Sequence, residues 1–598
     1  MTLQATESEC LLGVERSCTG KRWLLRACNE RQSLALSQRL GLPDTIGRIL
    51  SSRGIDIDQA ESFLSPTLKE LIPDPLCLKD MDKAVDALAS AIQDKRPIAV
   101  FGDYDVDGAT SSSLLKLFLQ SLGVPLEVYI PDRIREGYGP NSAAMHALAS
   151  KGIELVVTVD CGITAYDALQ AAADQGLGVI VVDHHVAETR LPPAQAVVNP
   201  NRLDDESGLG HLAAVGVTFL LLVALNRALR ERGWYAAQGV REPSLMQLLD
   251  LVALGTVCDV VPLTGLNRAF VTQGLKVLAQ RRNQGLQALS DVARVDEMPS
   301  AYHLGFILGP RVNAGGRVGE AGLGTELLTS ADTGIARTLA QRLDDYNNER
   351  REIEASVLEQ AIQEVEGQDG PRDLVIAVGQ DWHPGVIGIV ASRLKERFDR
   401  PSIVISLDEE GVGKGSGRSV PGVDLGSIVL AARQKGLLIN GGGHAMAAGL
   451  TVARDQLAAL QEFMSERVSQ VLSGLAYQPT LRLDGILQYQ AGHYAFYQSL
   501  EQLAPFGTGN PEPRFAVPNV QILRADVVGS DHLRVFARTE TGERLKGIAF
   551  RAVGRPLGDL LQAAKDFPVH LAGKLRRDSW AGPEALQLHI EDAARIAP

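Results

Sequence analysis

Short runs of β-branched and aliphatic residues at 98–101, 126–130, 155–159 and 179–182 alternate with Ala- and Leu-rich stretches at 110–122, 142–151 and 165–175. The runs have strand length and the stretches between them have helical spacing. The alternation therefore predicts a parallel sheet with helices on both faces. Ligands of such sheets gather at the carboxyl ends of the strands. In this chain the residues just past those ends are acidic.

The densest case is Gly102-Asp103-Tyr104-Asp105-Val106-Asp107-Gly108, directly after one predicted strand and before a predicted helix. Residues two apart in extended backbone face the same side, so Asp105 and Asp107 can aim at one cation. Capping and turn formation account for one or two aspartates, not three in five residues. An EF-hand loop is excluded because Leu114 stands where its glutamate would be. Asp160 follows the run at 155–159, and Asp183-His184-His185 follows the run at 179–182. Asp259 closes an apolar run at 253–258 and is expected at an equivalent strand end.

Carboxylates with imidazoles and no thiolate favour Mn²⁺ or Mg²⁺ over structural zinc. Asp105, Asp107, Asp160 and Asp259 supply four negative charges, which two divalent ions balance. Two ions about 3.5–4 Å apart activate water and stabilise a phosphoryl transition state. Phosphoester hydrolysis is the natural use of such a site.

The net charge of −13 excludes a chain that binds polyanions through its overall field. Local basic patches or bound cations must do that work instead. The apolar run at 212–225 is too short for a membrane span and reads as a buried helix. Six scattered cysteines form neither a disulfide framework nor a zinc motif, which predicts a reduced, cytoplasmic protein.

At about 150 residues per domain, 598 residues predict roughly four domains. A small helical preface is expected over 1–70 and the first α/β lobe over 71–329. A polar, solvated linking helix follows over 330–366, then a second, smaller α/β lobe over 367–476. The last stretch, 477–598, carries five strand-like segments with one helical insertion at 556–565, the pattern of an OB-type β-barrel.

These motifs, in this order, resemble the DHH phosphoesterase superfamily, named for a triplet such as Asp183-His184-His185. Further segments resemble its single-strand exonuclease branch: 308–317 with Arg311 and Arg317, 382–393 opening on Trp382-His383, the Gly-rich loop 414–419 with Ser416 and Arg418, and 441–449, which opens on the glycine turn 441–444 with His444. The resemblance implies a DHH domain, a linking helix, a DHHA1 domain and a C-terminal OB domain. It implies that Asp105, Asp107, Asp160, His184, His185 and Asp259 form the metal site, with Asp103 and Asp183 orienting the ligands. Phe101 departs from related pyrophosphatases, which carry a further histidine there. Cys258 and Gly315 stand where the family usually has alanine.

Arg311, Arg317, Ser416, Arg418 and His444 are the candidates for handling phosphate, with Trp382 and His383 candidates for lining the same cleft. In the barrel, Arg534 and Arg576 lead a set with Arg538, Arg551, Lys574 and Arg577, beside Phe536, Phe550 and Trp580. Basic residues interleaved with aromatics suit single strands, although most of these phenylalanines are expected in the core. The implied activity is metal-dependent 5′-to-3′ degradation of single-stranded DNA to mononucleotides in repair and recombination. The implied substrate is single-stranded DNA with a 5′ end, bound by a monomer. A helicase and a single-strand-DNA-binding protein stay open as accessory partners. Two alternatives also stay open, a phosphodiesterase of short oligonucleotides or cyclic dinucleotides and an inactive DNA-binding scaffold.

Overall fold

The computed structural model describes residues 9–133, 135–367, 373–475, 478–487, 493–578 and 581–596; Trp580 and the expected boundary at 476–477 lie outside them. The chain forms two compact units, Leu68–Tyr477 and Met1–Thr67 with Gln478–Pro598.

In the larger unit the first sheet is wholly parallel. Its strands run in the spatial order Leu126–Tyr129, Ile98–Gly102, Leu155–Val159, Gly178–Val182, Ala196–Val198. The three central strands are buried along their whole length, as helices on both faces require. The strand order reverses between Ile98–Gly102 and Leu155–Val159, and the crevice outside such a switch point is where ligands bind in open α/β sheets. The apolar run at 212–225 lies in the buried helix Ala214–Glu231. Among the described residues no helix is long and apolar enough to cross a membrane.

The linking helix, Thr333–Glu366, starts where Asp332 accepts a hydrogen bond from the Ile335 amide. It is less solvated than its polar composition predicts. Ala336, Leu339, Ala340 and Leu343 enter the first lobe's core, and Val357 and Ala361 pack with Trp382 and Val386 of the second.

The second lobe holds a mixed sheet ordered Asn440–His444, Ala447–Ala453, Val412–Arg418, Ser402–Leu407, Val375–Gln380. Both glycine-rich segments, read from the sequence as a loop and a turn, are strands here. The glycines at 413, 415 and 417 alternate with Lys414, Ser416 and Arg418. A Cβ on Gly415 would stand 2.6 Å from Leu450, and one on Gly417 2.6 Å from Leu425. They are therefore the core face of a strand, and their alternation puts the three polar side chains on the other face.

In the smaller unit, Phe515–Val528, His532–Arg538, Arg544–Ala549, Leu586–Arg595 and Val569–Arg577 pair in turn, and the last closes on the first. Along the chain the helix Pro556–Ala563 lies between Arg544–Ala549 and Val569–Arg577. This is the expected OB-type barrel. The first residues are no separate preface. Arg22–Leu25 pairs in parallel with Thr480–Leu483, and Leu36, Ile46, Ile49 and Leu50 share one core with Phe515, Val517 and Leu571. Their apolar faces complete the barrel's core.

Candidate metal centre and phosphate pocket

Each acidic group is aimed by local structure. Asp105 caps the helix Val106–Ser121, its Oδ1 accepting from the Gly108 amide at 3.1 Å. Asp107, in that helix's first turn, is 1% exposed and accepts from the amides of Ala214 (2.7 Å) and Val215 (2.8 Å). Those amides open the helix Ala214–Glu231, so its positive end faces the carboxylate. Asp160 takes a left-handed turn (φ 61°) directly after its strand. Asp259 follows a helix, Leu249–Cys258, not a strand. That helix is buried nearly all round, and periodicity does not separate such a segment from a core strand.

These groups converge. His184 Nε2 lies 3.4 Å from Asp160 Oδ1, 3.5 Å from Asp259 Oδ2 and 3.9 Å from Asp107 Oδ2. Three sets of side chains stand close enough to share an ion: Asp160, His184 and His185; Asp107, His184 and Asp259; Asp103, Asp105 and Asp160. Oδ1 of Asp103, Oδ1 of Asp160, Nε2 of His184 and Oδ2 of Asp259 are buried with no hydrogen-bond partner. Such atoms are costly unless something binds them.

The electrostatics agree. Burial, and then the neighbouring Asp105 charge, pushes Asp107 up to about 7 and Asp103 well above the carboxylate range. Burial and the Asp107 charge push Asp259 up to about 9 and hold Asp160 well above its ordinary value. Burial, then His185, lowers His184 to about 4, leaving a neutral imidazole suited to a metal. Divalent cations would offset the mutual repulsion of these carboxylates and accept the neutral imidazole, so the donor set fits the predicted ions.

The two aspartates expected to orient ligands separate. Asp183 fits that description: Oδ1 accepts from the amides of His184 and His185 and from His185 Nδ1, and Oδ2 from the Ile163 amide. Burial raises its pKa, but these hydrogen bonds outweigh it and hold the carboxyl below the usual range. Asp103 instead points an unpaired oxygen into the cluster. At the position of the absent histidine, Phe101 is buried and stacks on Tyr129, with 5.1 Å between ring centroids.

The phosphate candidates divide as well. Arg317 donates to the Gly385 carbonyl (2.9 Å), and Arg418 to Ser416 Oγ (3.2 Å) and the Gly417 carbonyl (2.8 Å). Burial first, and then repulsion from Arg133, lowers both guanidiniums, Arg317 to about 10. Arg317 and Arg418 share a positive field with Arg133, partly offset at Arg317 by Asp105, and such an arrangement is suited to an anion. Close packing places it: a Cβ on Gly316 would lie 2.5 Å from the Tyr104 carbonyl, and one on Gly388 3.1 Å from Arg418. His444 is exposed, in the same cross-strand row as Arg418 with Ala447 between them.

Arg311 does not join the pocket. It pairs with Asp344 at 2.8 Å and donates to the Ile307 carbonyl, fixing the linking helix. Trp382 is buried and donates to Gln360, a packing role, while His383 is half-buried within the field of Arg133.

Several contributors escaped the sequence reading. Arg133 packs 4.9 Å over the Tyr104 ring. Tyr138 donates to the Asp160 carbonyl (3.0 Å) and meets the His185 ring edge-on. Asn199 and Asn201 donate to the carbonyls of His185 and His184, fixing the turn that carries both. The Asn-Pro-Asn just past a strand, and Tyr138 between two glycines, are local turn signals that could have marked them. Arg133 has none.

In the barrel, Arg576 is bound to Glu512 through Nε at 2.7 Å, and Arg534 lies 3.9 Å from Asp526. Phe536 and Phe550 are not core. They are 36% and 51% exposed, because Phe536 is in phase with Arg534 and Arg538 while Leu533, Val535 and Ala537 fill the interior.

Comparison with known proteins agrees with this architecture. The DHH family, N-terminal domain, matches residues 97–256, the DHHA1 domain 372–470, and the RecJ OB domain 483–592. The chain is 39% identical over 561 residues to the single-stranded-DNA-specific exonuclease RecJ of Dickeya dadantii, covering 92% of this chain and 96% of that one. It is 37% identical to the protein of the same name from Escherichia coli, with the same coverage. Among solved structures, that of RecJ in complex with Mn²⁺ from Thermus thermophilus superposes with a TM-score of 0.78 at 28% identity, over 96% of this chain and 79% of that one.

Proposed function

We propose, from the premise that this chain belongs to the RecJ family of single-stranded-DNA-specific exonucleases, that it removes nucleotides one at a time from the 5′ end of single-stranded DNA. The observation that carries the reading is the set of four unpartnered buried ligand atoms, on Asp103, Asp160, His184 and Asp259. In this reading Asp103, Asp105, Asp107, Asp160, His184, His185 and Asp259 hold two Mn²⁺ or Mg²⁺ ions. Such ions supply an activated water and charge stabilisation for phosphoryl transfer.

The chain's own residues do the positioning. Asp183 holds the His185 ring through Nδ1, and Asn199 and Asn201 hold the turn beneath it. Arg133, Arg317, Arg418 and Ser416 take the terminal 5′ phosphate, whose charge exceeds that of an internal diester. End recognition thereby becomes alignment of the first scissile phosphorus for attack. The same reading makes the chain a cytoplasmic monomer in repair and recombination, on strands that a helicase and a single-strand-DNA-binding protein supply.

A phosphodiesterase of dinucleotides is the second reading, since the two lobes hold the whole metal and phosphate site. End-labelled single strands, duplexes and dinucleotides incubated with Mn²⁺, Mg²⁺ or EDTA separate the two. Ordered release of mononucleotides from long single strands supports the exonuclease. Turnover confined to dinucleotides overturns it.

A further inference from the structure

One face of the linking helix carries a polar stripe. Asp344, Asn347, Arg350 and Glu354 stand at i, i+3, i+6 and i+10 of Thr333–Glu366, so they share that face. The two ends of the stripe hold different halves of the anion pocket. At one end Asp344 pairs with Arg311 at 2.8 Å, in the helix Gly309–Val318 that also carries Arg317. At the other, Glu354 Oε1 accepts from Arg393 Nε at 3.4 Å. Arg393 belongs to the helix Ile387–Phe398 of the second lobe. At the start of that helix, a Cβ on Gly388 would lie 3.0 Å from Ser416 Oγ and 3.1 Å from Arg418. From Asp344 to Glu354 the linking helix rises about 15 Å, which sets the distance between the two anchors.

Arg350 lies between them. Its Nη1 donates to Glu354 Oε2 at 2.7 Å and its Nη2 to Asn347 Oδ1 at 2.9 Å, while Nε is buried with no hydrogen-bond partner. The side chains of Arg350 and Glu354 are each 12% exposed. Burial lowers the Arg350 guanidinium, and Arg351 and Arg393 add to this against the opposing charge of Glu354. Arg350 in turn adds to the positive field on Arg317. Removing one partner of such a buried pair strands the other, so Arg350 depends on Glu354 for its place among like charges.

We propose that Glu354 is a positioning residue for the 5′-phosphate pocket: by bonding Arg350 and Arg393 at once, it fixes the lobe that carries Arg418 against the helix that anchors Arg317. The inference rests on the exonuclease reading for its ligand, and it adds a residue that touches neither metal nor strand. Two effects of Glu354 oppose each other. Its negative charge weakens the pocket's field, so a purely electrostatic role predicts that Glu354→Gln binds phosphate more tightly. The positioning role predicts the reverse, because a misplacement of about 1 Å can cost on the order of 10²-fold.

The test uses the full chain with fluorescent oligothymidine bearing a 5′ phosphate or a 5′ hydroxyl, in excess EDTA so that binding is read without cleavage. Glu354→Gln should weaken binding of the phosphorylated strand ~10-fold or more, and of the hydroxyl strand by less than about threefold. Arg393→Gln removes the same bridge from the second lobe and should act in the same direction. The double variant should lose no more than about twofold beyond the larger single loss, as residues of one network do. Arg397→Gln is the control. Arg397 joins the same two helices through Glu366 at 2.7 Å, but that pair is exposed, so affinity should stay within about twofold. With Mn²⁺, the Glu354→Gln loss should appear in KM on 5′-phosphorylated strands with kcat within about threefold, a split that general loss of fold would not give. Unchanged or tighter binding of the phosphorylated strand by Glu354→Gln, an equal loss on both ends, additive losses in the double variant, or a fall in kcat with KM unchanged overturns the proposal. Absence of any cleavage by the unmodified chain, with the end-selective binding effects intact, would instead overturn the exonuclease reading alone.

Discussion

Nδ1 of His185 lies 2.7 Å from Oδ1 of Asp183, and the same oxygen accepts the backbone amides of both histidines. One buried carboxylate thus sets the orientation of the turn that carries both histidines. Asp183→Asn keeps the shape but removes the charge and one acceptor. It should weaken Mn²⁺ affinity about 10–100-fold, the usual effect of losing a group that orients a ligand. The Mn²⁺ concentration giving half-maximal hydrolysis measures this, and an unchanged value would confine Asp183 to holding the turn.

The raised carboxyls make the metal-free chain sensitive to pH. Asp107 is held up to about 7 and Asp259 up to about 9, whereas an unfolded aspartate titrates near about 4. Between those values the folded state binds more protons than the unfolded state, so stability falls as pH rises. The contribution is full below the unfolded value and lost through the folded ones. In EDTA the melting temperature of the larger unit should drop between about pH 5 and 9, and Mn²⁺ should flatten or reverse the trend. A flat profile in EDTA contradicts this electrostatic account.

Arg418 should read the end. Arg418→Ala removes a charge-assisted contact worth about 1.5–3 kcal/mol, roughly ten- to a hundredfold in rate. That loss should appear on 5′-phosphorylated single strands and shrink on 5′-hydroxyl strands. Equal losses on both substrates would make Arg418 a general strand contact.

Trp23 ties the N-terminal segment to the barrel. Its side chain is 0% exposed and donates to Asp592 at 2.8 Å. Trp23→Ala should cost about 3–5 kcal/mol in the smaller unit, and thermal unfolding should show its transition moving down. An unmoved transition would mean that the segment is not part of that core.

The clustering of the Asp/His side chains was legible because strand-end aspartates in a βαβ pattern leave few alternatives. The first lobe's strands were readable for the same reason, being short apolar runs bounded by helical spacing. Asp259 was misplaced on a strand because Leu249–Cys258 is buried on all sides and shows no helical stripe. The segment with Ser416 and Arg418 looked like a loop because its glycines, which make room for Leu450 and Leu425, leave no apolar alternation to read. Pairing across the chain is not local information. The ion pair of Arg311 with Asp344, the approach of Arg133 to Tyr104, and the pairing of Arg22–Leu25 with Thr480–Leu483 emerged only with the fold.

If the Asp/His cluster is the hydrolytic centre, release of label from 5′-labelled single-stranded DNA measures it most directly. Asp160→Ala and His184→Ala should release none at any Mn²⁺ concentration while binding the strand within about threefold of the unmodified chain. The unmodified chain should release labelled mononucleotide first and should stop in excess EDTA. Appreciable release by either variant, or by the unmodified chain in excess EDTA, would contradict the account.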